Sequence, residues 1–95
     1  MARFSYSMSD NEAILAFKKG FMGQGLGNVA ILKDKGNEFV LGSPFMTVNV
    51  KIKDGICETK GSLAGKLLVS TVDTKIELID GFKKFKNLVF KHNFL

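Results

Sequence analysis

The chain is poor in the residues that most often carry chemistry. Its 95 residues include one cysteine, one histidine, one proline and no tryptophan. A lone Cys57 cannot form a disulfide within the chain, which favours a reducing compartment. The Cys and His spacings of a zinc site are absent, and the carboxylates are dispersed among lysines rather than clustered for a hard metal. We therefore predict no catalytic residue, no metal site and no cofactor, and we expect that the protein is not an enzyme.

Long apolar segments are also missing. The opening residues MARFSYSMSDNE lack the apolar region of a secretory signal, and no apolar run approaches the roughly eighteen residues of a transmembrane helix. A chain of this length forms one domain, and 45% hydrophobic with 24% charged residues is typical of a folded globule. The expectation is a single soluble, cytoplasmic domain spanning residues 1–95 with no transmembrane segment.

Acidic side chains are absent from the last fourteen residues, FKKFKNLVFKHNFL. Residues 1–81 carry ten basic and nine acidic side chains, whereas residues 82–95 add four lysines and no acid. The same fourteen residues contain four of the nine phenylalanines. The net charge of +5 is thus concentrated, in the sequence, at the C-terminal end.

The N-terminal third predicts a strand followed by a helix. Residues 2–8 alternate between apolar and polar, the period of a half-buried strand. Ser9-Asp10-Asn11-Glu12 then has the pattern of a capping box, in which Ser9 and Glu12 satisfy each other's backbone N–H groups. Apolar residues follow at helical spacing over residues 10–22, which predicts an amphipathic helix. The glycines of GFMGQGLG predict a helix end and a turn back towards a sheet.

The middle of the chain predicts antiparallel strands. Candidates are residues 28–33 and 38–41, followed by an alternating strand that ends at Asp54-Gly55, a strong hairpin signal. A two-residue loop pairs Ile52 with Cys57, so that Cys57 faces inwards, and places Lys51 opposite Glu58 as an exposed pair.

Helical spacing returns near the C-terminus. Val72, Ile76, Ile79 and Phe82 predict a helix from about residue 71, or from as early as Ser62, with Leu78 and Phe85 widening its apolar stripe. The last eight residues fit a strand, a helix extension or a frayed end, and residues 86–95 fit a basic, aromatic tail. The fold class is therefore predicted to be α+β: an N-terminal strand and helix, a three- to four-stranded antiparallel meander, and a C-terminal helix packed on the sheet.

Three further interpretations of the residues compete with purely structural ones. The glycine run resembles a phosphate-binding loop, but it follows a helix instead of opening one, which favours a turn. Cys57 and His92 form a nominal nucleophile and base, although an inward-facing thiol is poorly placed for reaction. Small residues at the junction of helix and sheet leave open an apolar ligand pocket between the layers.

The order of elements resembles that of the small bacterial polyhydroxyalkanoic-acid-system proteins. The similarity spans about residues 3–85 and includes the strand with Phe4, the segment Ser7-Met8-Ser9-Asp10, the strand from Val48 to Ile52, and Lys75-Ile76-Glu77. It has no diagnostic motif, and the strand after residue 27 lacks a tryptophan. The resemblance implies a helix-on-sheet fold and a non-enzymatic role at the surface of polyester storage granules.

The C-terminal region is the candidate contact surface. Lysines attract phosphates or anionic headgroups, and phenylalanines enter an acyl interface or stack on bases. We predict a small binding or structural module that contacts an apolar or anionic surface, such as a granule, a membrane or a protein partner. Nucleic acid is the alternative partner, and a homo-oligomer formed through an edge strand or residues 88–95 is a further hypothesis. The residues predicted to bind the partner are Lys83, Lys84, Lys86, Lys91, Phe90 and Phe94.

Overall fold

The computed structural model describes residues 2–22, 29–43, 45–62 and 66–85. These form two helices and six strands. In chain order, the elements are β1 (Ala2–Tyr6), α1 (Asp10–Met22), β2 (Ala30–Asp34), β3 (Glu38–Ser43), β4 (Met46–Lys53), β5 (Ile56–Gly61), α2 (Lys66–Glu77) and β6 (Phe82–Lys84).

The strands make one antiparallel sheet in the order β2-β3-β4-β5-β1-β6. Strands β2 to β5 are a four-stranded meander, but the whole sheet has six strands and so differs in detail from the predicted three- to four-stranded meander. The N-terminal strand β1 pairs with β5 on one side and with β6 on the other. Both helices contribute side chains to a single apolar core on one side of this sheet. The α+β class is therefore confirmed, with two more strands in the sheet than the meander alone.

Helix α1 begins at the predicted capping box. The Ser9 N–H donates to the Glu12 carboxylate at 3.2 Å, and the Glu12 N–H donates to the Ser9 hydroxyl at 3.2 Å. Ala13, Phe17 and Phe21 lie on one face of the helix and are buried. The Phe17 ring lies 4.9 Å from the ring of Phe39, which joins α1 to β3.

The β4–β5 hairpin has the predicted register. Ile52 pairs with Cys57, Lys51 pairs with Glu58, and the turn residues Asp54 and Gly55 have φ angles of 54° and 81°. Positive φ at both central positions is the geometry of a type I′ turn, which suits an Asp-Gly pair. Cys57 is buried, as the alternation predicted.

A carboxylate at the start of α1 holds this turn in place. Asp10 accepts hydrogen bonds from the Tyr6 hydroxyl at 2.6 Å and from the N–H groups of Asp54 and Gly55 at 2.9 and 3.1 Å. These contacts lower the pKa of Asp10 below its ordinary value, with the Tyr6 hydrogen bond as the largest cause. The first turn of α1, β1 and the β4–β5 hairpin are thereby joined at one point.

The C-terminal end of the fold differs from the prediction. Helix α2 begins at Lys66 and ends at Glu77, and the chain turns at Asp80-Gly81 into the short strand β6. Gly81 has a φ of 92°, a backbone conformation that residues with a side chain rarely adopt, and a Cβ added there would also require the flexible end of Met8 to move. The predicted helix through Phe82 and Phe85 is therefore wrong.

Phe82 is nevertheless part of the core. It is buried in β6, with its ring centroid 5.5 Å from that of Tyr6 in the neighbouring strand. By contrast, Leu78 is 77% exposed although it was expected to widen the apolar stripe of the helix. Val72 and Ile76 are the members of that stripe that α2 does bury. The helical spacing was correct for about two turns and then continued by coincidence into a turn and a strand.

A buried polar contact joins α2 to the middle of the sheet. The Thr59 hydroxyl donates to the Asp73 carboxylate at 2.7 Å and accepts from the Ala2 N–H at 3.2 Å. Both side chains are buried among apolar neighbours. This contact fixes α2 over β5 and β1.

Candidate functional site

One face of the sheet is not covered by the two helices. Along β4, Val48, Val50 and Ile52 are buried in the core, and the residues that alternate with them point to the opposite side. We call this opposite side the open face. By strand pairing and alternation, the described strands place six cationic and two acidic side chains on it. They are Arg3, Lys33, Lys51, Lys53, Lys60, Lys83, Glu38 and Glu58.

A row of alternating charge crosses the centre of the open face. Arg3 of β1 pairs with Glu58 of β5, Glu58 with Lys51 of β4, and Lys51 with Glu38 of β3. The Arg3 Nε donates to the Glu58 carboxylate at 3.0 Å. Within the described residues, the ion pair of Glu58 is with Arg3 of β1. It replaces the contact that was expected with Lys51 of β4. Glu58 therefore lies between two cations of this row, and Glu38 lies beside one of them.

The two rows beside this central row have cations and no acids. One row runs through Lys83, Ser5, Ile56 and Lys53, and the other through Lys60, Asn49, Val40 and Lys33. The rows are four residues apart along β5, which corresponds to about 13 Å in a strand. The excess positive charge of the open face thus lies along its two sides.

An aromatic side chain ends the central row. The Phe85 N–H donates to the Arg3 carbonyl at 2.8 Å, which continues the pairing of β6 with β1 one residue beyond the strand. Alternation places Phe85 on the same face as Lys83 and beside Arg3. Phe85 is 46% exposed. The open face therefore combines an exposed aromatic ring with two neighbouring cations.

Two shallow clefts lie over the central row. One has a volume of about 260 Å³, and its charged lining includes Lys35, Lys51, Lys60, Glu38 and Glu58. The other has a volume of about 390 Å³ and lies next to it. Its lining residues are Arg3, Lys51, Lys53, Asp54, Ile56 and Glu58. Five of the nine residues that line the first cleft and five of the six that line the second are charged, while apolar atoms supply much of the lining surface. Both clefts therefore suit an ionic partner that also has some apolar surface.

The structure has an apolar groove in a different place from the ligand pocket that was predicted between helix and sheet. A groove of about 560 Å³ lies between α1 and the residues that follow α2, and Ala16, Leu78 and Ile79 supply much of its apolar lining. Lys19 and Lys75 stand at the same groove. It is formed between helical segments rather than between the helices and the sheet.

The structure separates the residues predicted to bind the partner. Lys83 pairs with Ser5 on the open face, whereas Lys84 pairs with Phe4 and so lies at the edge of the opposite, core side. Both lysines are exposed. Four of the predicted residues are outside the described part of the chain. They are Lys86, Phe90, Lys91 and Phe94.

The basic residues of β1, β4 and β5 were missed as a group. In the sequence, acids elsewhere offset these cations, so that residues 1–81 are almost neutral. The alternation of Lys51 and Lys53 with Val50 and Ile52 did contain the information, because it places both lysines on one face. A charge count made for each strand face, instead of along the chain, would have found the site.

The nominal nucleophile is poorly suited to catalysis. Cys57 is buried in the core, and burial raises the pKa of its thiol to about 12. The thiol therefore stays protonated near neutral pH, and its suggested partner His92 lies outside the described residues. Within residues 2–22, 29–43, 45–62 and 66–85, no group of three or more His, Cys, Asp or Glu is placed to hold a metal ion.

Neither helix, within the part of the chain that the structure describes, has the length and apolar character needed to cross a membrane. Comparison of the chain with protein-family models, with curated proteins and with solved structures finds no match. The resemblance to the polyhydroxyalkanoic-acid-system proteins therefore stays a prediction.

Proposed function

We propose that the protein is a non-enzymatic binding module that contacts a phosphate-rich polyanion through the open face of its sheet. The observation that carries this proposal is the separation of charge, because the described strands place six cations and two acids on the face that the two helices leave uncovered. A surface with one dominant sign of charge attracts an oppositely charged partner and speeds its association.

The arrangement of the rows supports a partner with several anionic groups. Glu58 is already occupied by Arg3, so it does little to oppose an incoming anion at the flanking rows. Lys53 and Lys83 in one row, and Lys33 and Lys60 in the other, are exposed and within reach of separate phosphates. Neighbouring lysines of this kind each contribute about 1 kcal/mol at an anionic membrane surface, and each phosphate contact adds about one to the salt dependence of nucleic-acid binding.

The proposal includes part of the C-terminal region that the sequence predicted to bind the partner. Lys83 belongs to the open face through its pairing with Ser5, and Phe85 follows it on the same face. The contact surface proposed here is therefore broader than the C-terminal segment and includes cations from four strands earlier in the chain.

The proposal is tested with two matched double variants. Lys51→Gln/Lys60→Gln removes two charges from the open face, and Lys19→Gln/Lys75→Gln removes two charges from the helical side. Binding of each protein is measured by sedimentation with vesicles of mixed phosphatidylcholine and phosphatidylserine, and by fluorescence anisotropy with labelled oligonucleotides, over a series of salt concentrations. Circular dichroism checks that each variant is folded.

We expect the open-face variant to bind its polyanion about 30-fold more weakly, because two contributions of about 1 kcal/mol are lost. The helical-side variant has the same net charge and should bind nearly as the wild type does. Equal losses in both variants would mean that only net charge matters, and no binding to either polyanion would exclude the proposed function.

A further inference from the structure

We infer that the polyanion is a single-stranded nucleic acid, with one base stacked on the exposed ring of Phe85 and the adjoining phosphates held by Arg3 and Lys83. This inference rests on the proposed function and identifies the partner. It depends on three observations at one corner of the open face: an exposed aromatic ring, the cations beside it, and the position of the other exposed apolar side chains.

The exposed ring of Phe85 stands at the edge of the sheet, one residue beyond β6. Its backbone is held to β1 by the hydrogen bond from the Phe85 N–H to the Arg3 carbonyl at 2.8 Å, and β1 lies between β5 and β6 in the sheet. An aromatic ring on a sheet surface is a platform for an unpaired base, since every base has a flat face that can stack on it. In a duplex, both faces of an internal base are already stacked on its neighbours. The ring therefore favours a single strand.

The cations are arranged to follow the strand on both sides of that base. Lys83 precedes Phe85 by two residues on the same face, and Arg3 lies directly across from it. The Nε of Arg3 is engaged by Glu58 at 3.0 Å, which orients the guanidinium group and leaves its other N–H groups for phosphate or base oxygens. The rows of lysines extend the positive surface from this corner across the sheet.

The position of the other exposed apolar residues argues against a bilayer as the partner. A protein that binds a membrane interface places several large apolar side chains among its basic residues. Leu15 lies on α1 and Leu78 follows α2, so both belong to the helical side of the domain. Leu32 is in β2 and Phe45 precedes β4, and at least two strands of the sheet separate each of them from β6 and Phe85. Among the described residues, Phe85 is thus the large exposed apolar side chain that adjoins Arg3 and Lys83, an arrangement that suits a strand of phosphates and bases better than a bilayer.

The test compares two exposed phenylalanines. Phe85→Ala removes the proposed platform, and Phe45→Ala removes a ring that is 88% exposed but lies at the start of β4. Phe85→Tyr keeps a flat ring and serves as the conservative variant. Affinities for a labelled oligothymidylate and for a duplex of the same length are measured by anisotropy, and thermal unfolding followed by circular dichroism verifies that each variant is folded.

We expect the wild type to prefer the single strand, and we expect Phe85→Ala to weaken that binding by about 5- to 100-fold, the range for the loss of one stacked base. Binding of Phe85→Tyr and Phe45→Ala to the single strand should be within about twofold of the wild type. The affinity of Phe85→Ala for the duplex should be unchanged, because stacking makes no contribution there.

Other results would contradict the inference, and some of them would leave the proposed function supported. Phe85 would be excluded as the platform if Phe85→Ala did not weaken single-strand binding, or if Phe45→Ala weakened it equally. In either case, loss of binding in Lys51→Gln/Lys60→Gln would still support a polyanion on the open face. Binding to anionic vesicles without binding to oligothymidylate would identify a membrane partner instead. Binding to neither vesicles nor oligonucleotides would end both proposals.

Discussion

The covered and open faces of the sheet are built from alternate residues of the same strands, and their side chains differ in almost every physical respect. On β4, Val50 and Ile52 are buried against the helices while Lys51 and Lys53 project into solvent. The covered face provides the free energy of folding because it removes apolar surface from water. The open face contributes little to stability, and its strands carry six cations against two acids. We therefore expect that substitutions one residue apart along a strand change either the stability or the proposed binding.

The largest expected effect compares neighbours in β4. Ile52→Ala should lower the free energy of unfolding by about 2–5 kcal/mol, because it leaves a cavity among fully buried side chains. Lys53→Ala, one residue further on and exposed, should change it by less than about 0.5 kcal/mol. Chemical denaturation of both variants measures the difference. A comparable loss of stability in Lys53→Ala would mean that the open face helps to hold the fold together.

A smaller effect is expected at the polar contact within the covered face. Thr59→Val removes the hydroxyl that donates to Asp73 and leaves a buried carboxylate without this partner, which should cost about 1–3 kcal/mol. The double variant Thr59→Val/Asp73→Leu removes both partners and should recover part of that loss, because no buried polar group is left unpaired. Urea denaturation of the two variants tests this order. If the double variant were less stable than the single one, Asp73 would have a role beyond its contact with Thr59.

The smallest expected effect is on the pH dependence of stability, and it concerns Asp10, which holds the β4–β5 turn. The pKa of Asp10 is lowered in the folded protein from its ordinary value of 3.8, chiefly by the Tyr6 hydroxyl. The carboxylate therefore stabilises the fold in full above about pH 4, and this stabilisation is lost as the pH falls through the lowered pKa. Asp10→Asn should lower the melting temperature at pH 7. Between pH 4 and pH 2, the melting temperature of this variant should fall less than that of the wild type.

The matched variant for this comparison is Asp80→Asn, in the turn before β6. Its melting temperature should follow the wild-type dependence on pH. Melting temperatures followed by circular dichroism across the acid range distinguish the two variants. If Asp10→Asn had the same acid dependence as the wild type, the hydrogen bonds at the β4–β5 turn would not be the source of acid sensitivity.

Local sequence signals predicted the parts of the fold that depend on adjacent residues. The capping box at Ser9 and Glu12 and the register of the Asp54-Gly55 hairpin are both present as expected. Each is set by a few consecutive side chains and backbone angles, so the information is contained within the segment itself.

Long-range pairing was beyond the reach of such signals. The turn at Asp80-Gly81 is itself a strong signal, yet the helical spacing from Val72 to Phe82 masked it. Choosing between the two required knowing that Tyr6 offers Phe82 a neighbouring strand and that Met8 occupies the space beside Gly81. The open face was missed for the same reason, since Arg3, Glu58 and Lys83 meet only when β1 is inserted between β5 and β6.

The position of β1 also has a consequence for how the chain acquires its structure. The first strand pairs with residues that are synthesised much later, as the separations of 57 residues between Ala2 and Thr59 and of 78 between Ser5 and Lys83 indicate. The leading segment therefore emerges from the ribosome long before its neighbours exist, and the last step of assembly closes large loops. We expect slow folding for a domain of this size, because the pairings of β1 join residues that are far apart in the sequence.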